Sequence, residues 1–213
     1  MRAIPFFSVA VTLAAASSCL AQDWELGAAG GFGFYRNATI SNASGSAGAG
    51  FDNRFAAGAV IGQDLYQHFT GEVRYTFRDG DLRLSQGGQK VNMDGDSHAI
   101  HYDMLVHLLP KESRIRPYAA AGAGIKFFRA TGKEYTSQPF AGFAHLTKTN
   151  EAKPLVSVGG GIKYAVNRST VIRVDFRDYL SPFPEKLFVV AHGAKVHGWL
   201  NDFVPLLGVS FTF

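Results

Sequence analysis

The sequence is poor in cysteine, and it has no long apolar run beyond its N-terminal segment. Cys19 is the single cysteine among 213 residues, so no disulfide can form within the chain. After residue 21 no apolar stretch approaches the ~20 residues that a transmembrane helix requires. The sequence also lacks a strong excess of either charge, because its formal net charge is only +4. This mild basic excess gives no argument for a nucleic-acid partner.

The first 21 residues have the pattern of a secretory signal peptide. Arg2 supplies the positive charge, residues 4–16 form the apolar run, and Ala21 is a small residue at the expected cleavage position. We expect a signal peptide over 1–21 and a mature domain over 22–213, which contains no cysteine and needs no disulfides. A lipoprotein site at Cys19 is the alternative, but the residues before it lack the leucine usual for such a site.

Eight segments of the mature chain alternate between apolar and small or polar residues. Alternation with a period of two indicates β-strands that have an apolar medium on one side and a polar medium on the other. Strands that cross a membrane as a barrel need only ~9–11 residues each. The predicted strands are, in chain order, 24–35, 51–62, 69–77, 98–108, 117–128, 155–166, 171–179 and 203–213.

The connections between these strands alternate in length. The short connections are 62–68, 109–116 and 166–170, and the long ones are 37–50, 78–97, 129–153 and 180–198. Short turns at one rim and long loops at the other are typical of outer-membrane barrels, in which the long loops are extracellular. A soluble β-sandwich gives no reason for this alternation. A sandwich or a lipocalin-like barrel is nevertheless the non-membrane alternative.

The last five residues alternate and end on an aromatic ring. Val209, Phe211 and Phe213 resemble the C-terminal assembly signal of Gram-negative outer-membrane β-barrels. Together with the signal peptide, the strand pattern and the loop alternation, they make the mature chain similar to the small outer-membrane β-barrel family, of the OmpA transmembrane domain and OmpX type. The resemblance implies an all-β, eight-stranded antiparallel up-and-down transmembrane barrel in the bacterial outer membrane.

The same resemblance implies partners. They are the lipid and lipopolysaccharide of the outer membrane and the barrel assembly machinery. We expect a monomer with no cofactor, no nucleic-acid partner and no domain after the barrel that binds the cell wall.

Charged residues in the predicted strands fall on the face opposite the apolar residues. An eight-stranded barrel is just wide enough for side chains to fill its interior, so we predict acid–base pairs there rather than an open pore. The predicted interior charges are Glu72, Arg74, Asp103, Lys126, Lys163, Arg173, Asp175 and Arg177. They comprise three acids and five bases, so some positive charge would be left uncompensated.

Aromatic residues cluster near the ends of the predicted strands. Amphipathic rings at headgroup depth form the girdles of membrane barrels, so the set predicts two girdles. Its members are Trp24, Tyr35, Tyr66, Phe69, Phe77, Tyr118, Phe127, Phe128, Tyr164, Tyr179, Trp199, Phe203, Phe211 and Phe213.

Two other patterns have the residue types of a metal or catalytic site. Asn92, Asp94 and Asp96 place oxygen ligands at alternate positions, but the bidentate glutamate of an EF-hand is missing downstream, so a polar loop tip is the default interpretation. His192 and His197 share the last long loop. The two histidines are candidates for a metal site, and together with Asp178 and Ser181 they are candidates for a hydrolytic site near the outer rim. We predict neither.

The leading functional hypothesis is a structural or interaction barrel whose long outer loops contact lipopolysaccharide. A narrow channel or transporter of small solutes is the first alternative, and a lipid-A-modifying enzyme is the second. Basic residues near the outer rim are candidates for pairing with lipid phosphates. They are Arg36, Arg54, Arg129, Lys133 and Lys153.

Overall fold

The computed structural model describes residues 24–134 and 138–213, and the predicted signal peptide lies outside them. In this part of the chain no helix is long and apolar enough to span a membrane. The strands are β1 Trp24–Arg36, β2 Ala38–Asn42, β3 Gly45–Phe51, β4 Arg54–Tyr66, β5 Phe69–Asp79, β6 Leu82–Gln86, β7 Gln89–Met93, β8 Gly95–His107, β9 Ile115–Ala130, β10 Ala144–Leu146, β11 Asn150–Ala165, β12 Thr170–Ser181, β13 Phe188–Val190, β14 Lys195–His197 and β15 Leu200–Thr212.

The eight long strands form a closed antiparallel barrel in the order β1-β4-β5-β8-β9-β11-β12-β15, and β15 pairs with β1. We call these eight the wall strands. The predicted eight-stranded up-and-down fold is therefore confirmed. Most wall strands extend beyond their predicted ends: β5 runs on to Asp79, and β15 begins at Leu200. Closure gives the backbone N–H and C=O groups partners within the wall, as a lipid environment requires.

The side chains of the wall alternate between two environments. On β5, Val73 and Tyr75 are half-exposed on the outside, whereas Glu72 and Arg74, which alternate with them, are buried inside. On β12, Val174 and Phe176 are likewise outside. Apolar side chains outside and charged ones inside reverse the arrangement of a soluble barrel, so the exterior is suited to hydrocarbon.

The backbone ladder is interrupted at one point in the seam between the first and last wall strands. Pairing between β1 and β15 passes from Gly31–Leu206 directly to Phe34–Phe203, which skips the position of Pro205. Proline has no N–H to donate. A Cβ atom on Gly31 would lie 2.1 Å from the Pro205 carbonyl oxygen, so only glycine allows this close approach.

The four long connections fold into a layer on one end of the barrel, which we call the loop layer (described residues 37–53, 80–94, 131–134, 138–149 and 182–199). We call the barrel end under this layer the outer rim and the opposite end the inner end. Its strands form one sheet in the order β14-β2-β3-β6-β7 and a two-stranded sheet, β10-β13. All four connections contribute to one apolar core. Its fully buried larger side chains are Ile40, Phe51, Leu82, Leu84, Phe128, Leu146, Leu187, Phe188 and Leu200. The long connections are therefore more than loops, because they contain short strands and bury an apolar core.

The aromatic girdle prediction is wrong for four residues. Tyr118, Phe128 and Tyr179 are buried, and Tyr35 turns its ring toward the inner residues Arg78 and Lys126. The exposed members that remain, such as Trp24, Tyr66, Phe69, Trp199 and Phe211, lie on the exterior.

Candidate functional site: the charged barrel interior

The interior of the barrel is lined by charged side chains that follow from the strand alternation. The eight charged residues that the sequence predicts to face the interior all point into it, and none is more than 2% exposed. Five wall strands supply them: β5, β8, β9, β11 and β12. Side chains at i and i+2 share one face of a strand, so each strand delivers its charges at successive levels of the barrel.

The central cluster is built around two carboxylates. Asp175 accepts hydrogen bonds from Arg74 Nη2 at 3.0 Å and from Arg173 Nε at 2.9 Å, and Arg177 Nη2 lies 3.5 Å away. Glu72 accepts from Arg74 Nη2 at 2.6 Å and from Arg173 Nη2 at 2.8 Å. Two acids thus hold three guanidinium groups, by the charge-assisted bonds that buried charges require.

A second arm of this cluster reaches toward the outer rim. Arg177 Nε donates to Asp103 Oδ2 at 3.2 Å, and His101 Nδ1 lies 2.9 Å from the other oxygen of the same carboxylate. His101 Nε2 is 3.3 Å from the Tyr179 hydroxyl. Arg177 Nη1 has no hydrogen-bond partner, which makes this guanidinium the least satisfied of the three.

The outer cluster joins three wall strands through one carboxylate. Asp202 accepts from Arg78 Nε at 3.1 Å and from Lys126 Nζ at 2.7 Å. The ring of Tyr35 lies 4.9 Å from the Arg78 guanidinium and 4.8 Å from the Lys126 ammonium, within the range of cation–π attraction.

The inner cluster lies at the opposite end of the barrel. Glu25 accepts from Lys163 Nζ at 2.6 Å and from Arg173 Nη1 at 3.1 Å. Nearby, Asp64 accepts from Arg116 Nη1 at 2.9 Å. An open vestibule of about 930 Å³ lies at this end, and Glu25 and Lys163 are part of its lining.

Five interior charges were not predicted from the sequence. Glu25 stands between two outward apolar residues, so the alternation of β1 contained its signal. The other positions lie near strand ends, where the apolar pattern stops. With these additions, six acids face seven bases among the described interior residues, so the expected positive excess falls to one charge. The five are Glu25, Asp64, Arg78, Arg116 and Asp202.

The apolar core of the loop layer covers the outer mouth of the barrel. Phe128 points into the barrel from β9, and its ring stacks on Phe51 with centroids 5.2 Å apart. Phe188 meets Phe51 edge-on at 5.7 Å. All three rings are at most 1% exposed. Beyond the ion-paired interior there is therefore a second, apolar closure.

The basic residues of the outer rim are largely paired with acids. Arg54 contacts Asp79 at 3.4 Å and forms a closer ion pair with Asp81. Burial raises the pKa of the Asp81 carboxyl, and neighbouring carboxylates add to this shift although Arg54 opposes it. Acids therefore outnumber bases around Arg54, and this cation is not free to meet a lipid phosphate.

Two further rim cations are also occupied. Arg129 donates to both oxygens of Asp96, at 2.7 and 2.8 Å, and Lys153 Nζ lies 2.9 Å from Glu151. Asp96 belongs to the candidate calcium segment. In the described part of the chain no group of three or more His, Cys, Asp or Glu side chains could hold a metal ion.

The candidate hydrolytic residues are engaged elsewhere. His197 Nε2 lies 2.9 Å from Ser41 Oγ, and Asp178 accepts a hydrogen bond from Asn201 at 2.9 Å. Ser181 is buried, with no partner for its hydroxyl. Among the described residues no hydrogen bond joins any two of the four candidates, which also include His192.

The three residues of the predicted C-terminal assembly signal all lie on the exterior of the barrel. Val209, Phe211 and Phe213 are each about half-exposed. The backbone of Phe213 exchanges hydrogen bonds with Trp24, at 3.0 and 3.2 Å, so the end of the chain is tied to the first wall strand.

Comparison with known proteins identifies the family. A model of the outer membrane protein beta-barrel domain matches residues 7–187, most of the chain. Neisserial surface protein A is similar in structure, with a TM-score of 0.53 and 14% identity over 89% of this chain and 97% of that one. No curated protein matches the chain.

Two other solved structures share the architecture. The N-terminal β-barrel domain of Pseudomonas aeruginosa OprF has a TM-score of 0.50 and 14% identity, covering 90% of this chain and 98% of that one. The outer membrane protease OmpT of Escherichia coli has a TM-score of 0.51 and 11% identity, covering 92% and 99%. At such identities the likeness shows the fold alone.

Proposed function

The chain belongs to the outer membrane protein beta-barrel domain family, and from this premise we propose that it is a monomeric, non-conducting barrel with a structural or interaction role. The double closure of its interior supports the proposal. Ion-paired side chains fill the middle of the barrel, and the Phe51–Phe128–Phe188 core covers its outer mouth. In this arrangement the wall serves as an anchor, and the loop layer is the part presented outside the cell.

The channel alternative requires a continuous water path. Such a path would have to separate Asp175 from three guanidinium groups and also displace buried phenylalanine rings. Breaking a buried ion pair costs about 3–5 kcal/mol, so spontaneous opening is rare.

Single-channel recording on the refolded chain in planar lipid bilayers tests the proposal. We expect no conductance steps above those of protein-free bilayers. A double variant, Phe51→Ala with Phe128→Ala, removes the apolar closure but keeps the ion pairs, and we expect it to remain silent. Steps in the wild type would overturn the proposal in favour of the channel.

The enzyme alternative predicts altered lipid A in cells that express the protein. The scattered partners of Asp178, Ser181 and His197 argue against a site at the outer rim. We expect the lipid A mass spectrum of expressing cells to match that of cells with an empty vector. A new lipid A species that disappears with Ser181→Ala would favour the enzyme.

We further propose that the C-terminal aromatic residue is recognised by the barrel assembly machinery. The ring of Phe213 is half-exposed on the exterior, while its backbone completes the ladder to Trp24. Phe213→Ala keeps the backbone bonds, so refolding into detergent should match the wild type, whereas assembly in cells should fall severalfold. Equal assembly in cells would refute the recognition role. Thr212→Ala is the matched control.

A further inference from the structure

The five-stranded sheet of the loop layer has one polar face, which we call the hydroxyl face. We define it by its two cross-strand rows farther from the wall. The first row is His197, Thr39, Gly48, Ser85 and Lys90, and the second is Lys195, Ser41 and Ser46. A third row on the same side, Gly50, Arg83 and Asn92, lies nearer the wall, where Asp52 accepts hydrogen bonds from Arg83 and Asn92. Adjacent strands are about 4.8 Å apart, so the first row spans roughly 19 Å.

The opposite face of this sheet is the buried one. Ile40 and Leu84 lie on it and pack in the same core as Phe128, which points inward from β9. The sheet therefore prolongs the barrel wall, and its hydroxyl face continues the outer surface of that wall. Because β2 has five residues at about 3.3 Å each, the sheet extends roughly 16 Å along this strand beyond the end of β1.

The charge of the hydroxyl face differs from that of the rim. Lys90, Lys195 and His197 are exposed, and neither row contains a carboxylate. At the rim, by contrast, Arg54 and Arg129 each meet an acid. The two lysines of the hydroxyl face, Lys90 and Lys195, stand on its opposite edge strands, with small side chains between them.

We propose that the hydroxyl face binds the anionic core oligosaccharide of lipopolysaccharide in the surrounding leaflet. Its height places it beside the sugars rather than the acyl chains. Serine and threonine hydroxyls donate to and accept from sugar hydroxyls, and lysine ammonium groups pair with sugar phosphates or carboxylates. The inference rests on the proposed placement in the outer membrane, and it gives the interaction role a specific partner chemistry.

A titration with delipidated core oligosaccharide tests this inference, using the full chain refolded in detergent micelles and NMR or calorimetry as readout. The test variant is Lys90→Gln with Lys195→Gln, which removes two charges from the face. The control is Lys111→Gln with Arg168→Gln, which removes two charges from the turns at the opposite end of the barrel. We expect the test variant to bind about tenfold more weakly and the control to bind like the wild type.

The other outcomes each overturn the inference. Equal weakening in both variants would show unspecific charge attraction, and equal binding of neutral dextran would remove the role of the cations. Binding of dextran sulfate without binding of the core oligosaccharide would indicate an external polyanion instead. A chain that folds and remains silent in bilayers but binds no oligosaccharide refutes the inference while the proposed function stands. A conducting chain refutes the proposed function itself.

Discussion

Replacing Asp175 with asparagine tests whether the ion pairs hold the barrel together. Asp175 is 1% exposed and faces Arg74, Arg173 and Arg177 within 3.5 Å. Asp175→Asn keeps the shape of the side chain but removes the charge that these cations share. Removing one partner of a buried pair costs about 3–5 kcal/mol, and we expect the upper part of this range because three cations lose a counter-ion.

Asp178→Asn is the matched control on the same strand. Asp178 is only half-buried, and one of its oxygens has no partner, so we expect a cost below about 1.5 kcal/mol. Trp24 begins the first wall strand and Trp199 ends the loop layer next to β15, and both are exposed, so their fluorescence reports urea unfolding in lipid vesicles.

A double variant sharpens this test. Arg177 is the least satisfied guanidinium, so Asp175→Asn with Arg177→Gln should cost about 1–3 kcal/mol less than the sum of the two single changes. If Asp175→Asn destabilises the barrel no more than Asp178→Asn does, the interior is wet enough to screen its charges. The reasoning about its ion pairs would then fail.

Two further predictions concern packing. Leu84→Ala should destabilise the loop layer by about 2–5 kcal/mol. The loops should then be proteolysed faster while the barrel still migrates as folded on an unheated gel. Val189 is half-exposed, so the control Val189→Ala should change the proteolysis rate little. Gly31→Ala should lower the refolding yield because the Pro205 carbonyl occupies the space of the new methyl group, whereas at Gly30 the nearest atom is 3.9 Å away and alanine should be tolerated. Equal yields from the two glycine variants would refute the close approach at the seam.

The wall was predictable because its pattern is long and has a single cause. Outward residues such as Val73, Ile100 and Val174 must be apolar wherever they face hydrocarbon, so the period of two persists along the immersed part of each strand. Beyond the membrane this requirement ends. The outward residue Arg129, near the end of β9, is charged. Charged residues at such outward positions interrupt the apolar alternation, so the predicted strands ended too early.

The same limit explains which parts of the interior were missed. Arg78 and Asp202 occupy inward positions just outside the predicted third and eighth strands. The loop layer was missed for another reason. Phe51, Leu84 and Phe188 form one core only after distant connections meet, and the strands that carry these residues have three to seven residues each. A local pattern of that length does not separate a strand from a loop.

The gap at Pro205 bears on how the cylinder is completed. Joining β1 to β15 brings Ala29 to Gly208, a separation that spans most of the described chain, and contacts of such high sequence separation form late in folding. This final junction lacks register pairs at Pro205 and Val204, so its ladder is interrupted inside the wall. Arg78 and Asp202 meet only when β15 is in place, and the Arg78 guanidinium lies beside Gly33, so their ion pair stabilises the finished barrel next to this interruption.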